Sequence, residues 1–209
     1  MAKIKICGLK RLEDIHYVNE YRPDYIGFIF AGSKRRIDES TAVRLKSQLN
    51  HGIKAVGVFV NEPIEHIAAL CGNRTIDLVQ LHGEEDESYI LKLKSLVPNT
   101  VIKAVRVGQK GQIEAAQKLP CDYLLLDTFS KEQYGGSGKT FDRNFIPKDC
   151  KPFFLAGGLK KENIAEAITD SKPYCVDISS GVETDGVKDE SKIKEIIDIV
   201  RKLSCYESV

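Results

Sequence analysis

A cysteine and an aspartate each close a short apolar run, and together they hold the parts of a proton shuttle. The first run ends in Lys5-Ile6-Cys7-Gly8. A cysteine at such an end works as a base or nucleophile when neighbouring donors or cations lower its pKa and populate the thiolate. The second run is Leu124-Leu125-Leu126-Asp127-Thr128. A carboxylate that closes an apolar run must reach solvent or a partner, because burying it unpaired is costly. A helix cap or a loop-bracing salt bridge would satisfy Asp127 equally well. Set against Cys7, however, it is expected to be the acid opposite a base.

Two further runs lead into small residues: Leu155-Ala156-Gly157-Gly158-Leu159 and Asp177-Ile178-Ser179-Ser180-Gly181. Loops of this composition let backbone N–H groups and serine hydroxyls approach a phosphate closely. Gly157, Gly158, Asp177, Ser179, Ser180 and Gly181 are therefore candidate substrate contacts, with simple tight turns as the competing account. In Ser33-Lys34-Arg35-Arg36 an arginine could meet a substrate carboxylate with its planar fork, although most basic clusters are solvated loops. His82, after Val79-Gln80-Leu81, could donate a hydrogen bond or be purely structural. Tyr134-Gly135-Gly136-Ser137-Gly138-Lys139-Thr140 looks like a P-loop but fails its spacing, since the first glycine would fall on Gln133. A glycine-rich lid (Gly135, Gly136, Ser137, Gly138, Lys139) is the better account, with Lys139 either solvated or reaching the ligand. No metal or cofactor fingerprint stands out.

These residues need elements to position them, and the chain supplies a regular series. Short apolar, β-branched runs alternate with amphipathic stretches, and eight of each are expected. The strands fall at Lys3–Cys7, Asp24–Phe30, Lys54–Val60, Asp77–Leu81, Thr100–Arg106, Asp122–Asp127, Pro152–Ala156 and Tyr174–Ile178. Helical spacing is clear in Ile64, Ile67, Ala68 and Cys71, and in Ile193, Ile196, Ile197 and Val200. The sixth unit is weakest, since Phe141 to Cys150 offers only a short helix. Strict alternation makes the strands parallel. Eight similar units favour an α/β fold of one (βα)8 TIM barrel over residues 1–209, rather than an open doubly wound sheet. In such a barrel the chemistry gathers where strands end, which is where these candidates lie.

Bulk composition removes several classes of function. With 31 Lys+Arg against 30 Asp+Glu there is no polyelectrolyte character, and nucleic acid is not an expected partner. The apolar runs are too short to cross a bilayer. The opening Met1-Ala2-Lys3-Ile4 enters a strand pattern without a signal peptide's long apolar region, so a cytoplasmic protein is expected. The six cysteines, at 7, 71, 121, 150, 175 and 205, form no CxxC and keep no zinc spacing from His16, His51, His66 or His82. They are expected to be reduced thiols.

Taken in order, Lys5-Ile6-Cys7-Gly8, Gly27-Phe28, Gln80-Leu81-His82-Gly83, Leu126-Asp127-Thr128, Gly135 to Asp142, Gly157-Gly158-Leu159 and Asp177 to Glu183 resemble phosphoribosylanthranilate isomerase over essentially the whole chain. The resemblance implies a barrel that performs an Amadori rearrangement in tryptophan biosynthesis, with phosphoribosylanthranilate as the small-molecule substrate and no cofactor. It makes Cys7 the general base and Asp127 the general acid. It also implies an arginine on the anthranilate carboxylate, assigned to Arg35 with Arg36 as the alternative because Lys34 stands where the family has proline. A chain working by itself, as monomer or homodimer, is expected. Another phosphosugar isomerase or epimerase, or a catalytically silent phosphometabolite-binding barrel, remains open at this point.

Overall fold

The computed structural model describes residues 2–128 and 142–206. Eight parallel strands close into a barrel: β1 (Lys3–Cys7), β2 (Tyr25–Ile29), β3 (Lys54–Phe59), β4 (Leu78–Leu81), β5 (Thr100–Val107), β6 (Tyr123–Thr128), β7 (Phe153–Leu155) and β8 (Cys175–Ile178). Closure is made by β1 against β8, with Ile4 beside Val176 and Lys5 beside Asp177. The closed ring eliminates the doubly wound alternative. All eight strands coincide with the expected runs to within a residue or two at each end.

Outside the barrel lie α1 (Leu12–Tyr21), α2 (Glu39–Ser47), α3 (Ile64–Gly72), α4 (Glu87–Leu96), α5 (Gln112–Ala116), α6 (Ile164–Ser171) and α7 (Glu190–Tyr206). Each start has a local cause where a cap is present. Asp38 accepts from the Thr41 N–H at 2.8 Å, and Asp86 from the Tyr89 N–H at 2.9 Å, relieving unpaired donors of α2 and α4. The apolar stripe of α7, Ile193, Ile196, Ile197 and Val200, is buried against the barrel as its spacing requires. The expectation of eight helices needs correction at the sixth unit. Among the described residues, only one 3-10 turn, Arg143–Phe145, stands between β6 and β7. That segment lacks the repeated apolar face that would hold a longer helix on the sheet.

Side chains alternate along each strand, so half face the helices and half face the barrel axis. The axial set begins at the bottom with aromatics. Tyr25, Tyr123 and Tyr174 surround Phe154, with ring centroids 5.6–5.7 Å from it. Full burial of a ring such as Phe154 contributes on the order of 3 kcal/mol. Above this floor the axial positions become polar: Lys5, Gln80 and Asp177, then Cys7, His82, Asp127 and Ser179. Packing thus seals one end of the barrel and leaves the strand ends to chemistry.

One element was not expected. Glu183–Thr184 (β9) and Val187–Lys188 (β10) form a two-stranded hairpin after β8, pairing Glu183 with Lys188. Its turn, Asp185-Gly186, has φ of 51° and 77°. Positive φ at both central residues is the two-residue turn that Asp-Gly favours, so the signal was present in the sequence.

Candidate active site

An open cavity of about 210 Å³ lies at the strand ends. Its lining brings together Cys7 from β1, Arg35 from the loop after β2, His82 from the end of β4, Asp127 from β6, Gly157 and Gly158 after β7, and Asp177, Ser179 and Ser180 from β8 and its loop. Gly181 is placed differently. A Cβ there would lie 2.1 Å from the Leu159 carbonyl oxygen, so Gly181 permits the two small-residue loops to touch and is not part of the lining. Gly157 and Gly158 have φ of 85° and 65°, values that side-chain-bearing residues rarely adopt. The lid segment Gly135, Gly136, Ser137, Gly138 and Lys139 lies outside the described residues.

Cys7 is buried between partners that pull in opposite directions. Neighbouring Gly27, in register with it on β2, gives the thiol its room: a Cβ on Gly27 would sit 2.6 Å from Sγ. The expected lowering of the Cys7 pKa is not found. Burial pushes the thiol above its ordinary value of 9.0, and Asp177 adds to that, while Lys5 and Lys188 oppose it and lose. The reason is desolvation of a thiolate on the floor of a barrel. Burial thus favours the thiol form of Cys7, and as thiolate it is a strong base. Cys71 and Cys150 are pushed to about 11 by burial and line no part of the cavity.

Beneath Cys7, the fully buried Lys5 ammonium donates to Asp177 Oδ2 at 2.8 Å and to Gln80 Oε1 at 2.9 Å. Gln80 Nε2 lies 3.0 Å from His82 Nδ1, and His82 Nε2 lies 3.5 Å from Asp127 Oδ2. The turn carrying His82 is braced from behind. Glu85 accepts from the Gly83 and Asn61 N–H groups, and Lys103 donates to Gly83 O at 2.6 Å and to Glu85 at 2.9 Å. Lys103 and Glu85 are both buried and satisfied as a pair, the condition under which buried charges persist.

Arg35, not Arg36, reaches the cavity. Arg36 Nε instead donates to Phe30 O at 3.1 Å, tying its loop down. The Arg35 fork is already occupied on one edge, since Nε and Nη2 donate to the two oxygens of Glu183, both at 2.7 Å. Lys188 donates to Glu183 Oε1 at 2.7 Å and to Ser179 O at 2.9 Å, and Ser179 Oγ donates to Cys7 O at 3.1 Å. The hairpin therefore fastens Arg35, the β8 loop and the backbone of Cys7 together. Sequence reasoning singled out neither Glu183 nor Lys188 as a site residue; the Asp-Gly turn between them was the available clue.

Burial works against the Glu183 charge, but the Arg35 fork and Lys188 outweigh it and bring the carboxyl from 4.5 to about 2. A depressed carboxyl stabilises the fold above its unfolded value, and that stabilisation is lost as pH falls toward the folded value. Between pH 4.5 and about 2 the loss should reach about 3 kcal/mol. Urea unfolding at about pH 5 and about pH 3 should show a markedly flatter pH slope for Glu183→Gln than for the native chain. Equal slopes would remove Glu183 from the acid response.

Among the described residues no group of three or more His, Cys, Asp or Glu side chains is placed to hold a metal ion, and no helix is long and apolar enough to cross a membrane. Residues 4–199 match the family model for N-(5'-phosphoribosyl)anthranilate (PRA) isomerase. A relative from Endomicrobium trichonymphae, named N-(5'-phosphoribosyl)anthranilate isomerase, is 58% identical over 97% of this chain and 100% of its own. The crystal structure of the Thermotoga maritima phosphoribosyl anthranilate isomerase superposes with a TM-score of 0.86 at 38% identity, covering 97% of this chain and 100% of that one. A further phosphoribosyl anthranilate isomerase structure, in complex with reduced 1-(o-carboxyphenylamino)-1-deoxyribulose 5-phosphate, gives a TM-score of 0.80 at 34% identity over 97% and 100% of the two chains. With matched sequence from β1 into α7, and one barrel presenting a thiol, a carboxyl group and two small-residue loops at its mouth, the chain belongs to the phosphoribosylanthranilate isomerase family.

Proposed function

We propose that residues 1–209 act as one catalytic domain that isomerises N-(5'-phosphoribosyl)anthranilate to 1-(o-carboxyphenylamino)-1-deoxyribulose 5-phosphate in tryptophan biosynthesis, with Cys7 as base and Asp127 as acid. The observation that carries the reading is the shared cavity: a thiol from β1 and a carboxyl from β6 enter it from well-separated strands of the ring, so C1 and C2 of a bound ribose fit between them. Asp127, protonated, donates to the ribose ring oxygen as the C1–O bond breaks and the anthranilate nitrogen's lone pair completes a protonated Schiff base. Cys7, as thiolate, then takes the proton from C2, and the electrons of that bond run through C1 to nitrogen. The resulting enolamine gains a proton at C1 and loses one from its C2 hydroxyl to give the ketose. Substrate and product are isomers, so no oxidant or reductant is consumed.

The rest of the site holds the substrate's two anionic ends and its sugar. The loops containing Gly157 and Gly158, and Ser179 and Ser180, offer backbone N–H groups and hydroxyls to the phosphate. Asp177 Oδ1 is buried with no hydrogen-bond partner among the described residues, and Asp177 lines the cavity. Such an orphaned acceptor suits a ribose hydroxyl. Binding energy from these remote contacts orients the reacting carbons. A substrate with two anionic groups does not cross a bilayer unaided, which supports a cytoplasmic enzyme.

Arg35 meets the anthranilate carboxylate through the guanidinium edge that Glu183 leaves open. Among the described residues Nη1 has no hydrogen-bond partner, while Glu183 holds the Nε edge. Arg35→Ala should therefore raise KM about 10- to 100-fold with a smaller change in kcat, because a charged hydrogen-bonded contact is lost at a distance from the reacting carbons. Steady-state kinetics of Arg35→Ala and Arg36→Ala distinguish the two. The same effect in Arg36→Ala alone would move the carboxylate site. The reaction itself is tested by incubating the purified protein with phosphoribosylanthranilate and following loss of its fluorescence; no loss refutes the assignment.

A further inference from the structure

The polar groups at the floor and wall of the cavity form a chain whose direction is set at one end, by Lys5 beneath it. Lys5 is an ammonium, a donor only, and it is enclosed: Asp177 Oδ2 takes one of its hydrogens and Gln80 Oε1 another. Burial disfavours its charge, but the Asp177 carboxylate more than compensates, so Lys5 stays protonated. The ammonium decides which way the Gln80 amide faces. Its oxygen must point at Nζ, and the amide NH2 is then left 3.0 Å from His82 Nδ1. Turning the amide over would place NH2 against NH3+ and oxygen against the ring. An NH2 group can only donate, so Nδ1 must carry a lone pair and no hydrogen. The single ring hydrogen is on Nε2, the nitrogen 3.5 Å from Asp127 Oδ2.

We propose that Lys5 and Gln80 are positioning residues that lock His82 in the Nε2–H tautomer, so that its imidazole donates to the Asp127 carboxylate produced when the acid delivers its proton. This rests on the assignment of Asp127 as acid. In the other tautomer the ring would present a lone pair to a newly formed anion. In the locked tautomer it presents a hydrogen, which forms a full hydrogen bond after a small approach from 3.5 Å. The contact strengthens as charge develops on Asp127, so it favours the ring-opening transition state over the bound ground state. Gln80 is buried at the floor of the cavity, and in this scheme it touches neither reacting carbon and acts through His82.

The first test needs no substitution at Gln80. Nitrogen-15 spectra of the native enzyme, with the His82 ring signals assigned by their loss in His82→Asn, should show hydrogen on Nε2 at neutral pH. Hydrogen on Nδ1 would overturn the proposal. The second test is Gln80→Glu, which keeps the partner of Lys5 but places a carboxylate oxygen against Nδ1 and draws hydrogen onto that nitrogen. We expect the Nδ1–H signature to appear and kcat to fall about 10- to 100-fold with KM changed less than about 3-fold. Gln80→Met, which removes the donor without inverting it, should give a smaller loss of kcat. An inverted tautomer with native kcat overturns the positioning role while leaving the isomerase assignment intact. Failure of the native enzyme to consume phosphoribosylanthranilate overturns that assignment, and with it the catalytic part of this proposal.

Discussion

Cys7→Ser should lower kcat roughly a thousand-fold, within the range that general acid–base groups contribute. A serine hydroxyl fits the space beside Gly27 and preserves the strand, but it is far too weak an acid to supply the conjugate base near neutral pH. The burial that raises the Cys7 thiol adds a second expectation. Because the proposed base is needed deprotonated and burial holds its pKa above the ordinary 9.0, kcat/KM of the native enzyme should keep climbing from neutral pH to beyond pH 9. The pH profile of the Cys7→Ser variant should lack that limb. Alkylation by a thiol reagent should follow the same pH dependence, abolish activity through Cys7, and be slowed by a bound product analogue. The buried cysteines of the described core, Cys71, Cys121 and Cys175, are away from the cavity and should react without this protection or not at all. Near-native kcat in Cys7→Ser would remove the thiolate from the mechanism.

Asp127→Asn should cost kcat by a comparable factor, on the order of a thousand-fold, while product-analogue affinity changes little. The amide keeps the shape of the carboxyl and can still sit beside His82, but it has no proton to give to the ribose oxygen. Ring opening then becomes limiting. A substrate isotope effect at C2, measurable in the native enzyme if proton abstraction limits turnover, should shrink in this variant. Retention of substantial turnover in Asp127→Asn would assign the acid elsewhere. The fold should be unaffected, since Asp127 sits at the mouth of the barrel and the core packing below it is made by Leu124, Leu125 and Leu126.

Much of the architecture was legible because barrel strands are buried on both faces. β3 and β6 appear in the sequence as nearly uninterrupted apolar runs, and a polar residue closing such a run is conspicuous. That is how Asp127 stood out, while Cys7 stood out as a thiol closing the alternation of β1, and why Gly157-Gly158 and Ser179-Ser180 could be assigned to strand ends. The sixth unit was readable as weak for the converse reason. With no helical apolar repeat after β6, the described residues there make only the turn at Arg143–Phe145.

Electrostatic relations were not legible, because they depend on contacts between residues far apart in the chain. Lys5 read as one lysine in an apolar alternation; only barrel closure places Asp177, 172 residues away, against its ammonium. The Cys7 pKa was expected to fall on account of nearby cations, which are indeed present in Lys5 and Lys188, yet the depth of burial decides its direction. Arg35 and Arg36 are indistinguishable neighbours in sequence, and it is the β9–β10 hairpin, offering Glu183, that draws one into the cavity while Phe30 O retains the other. Periodicity and strand-end chemistry, which are local, thus determined the barrel, the end that carries the cavity and the pair of residues proposed as acid and base. Dielectric environment and the partners of each charge, which arise only when the ring closes, decided the direction of the Cys7 shift, the orientation of the polar groups and which arginine reaches the cavity.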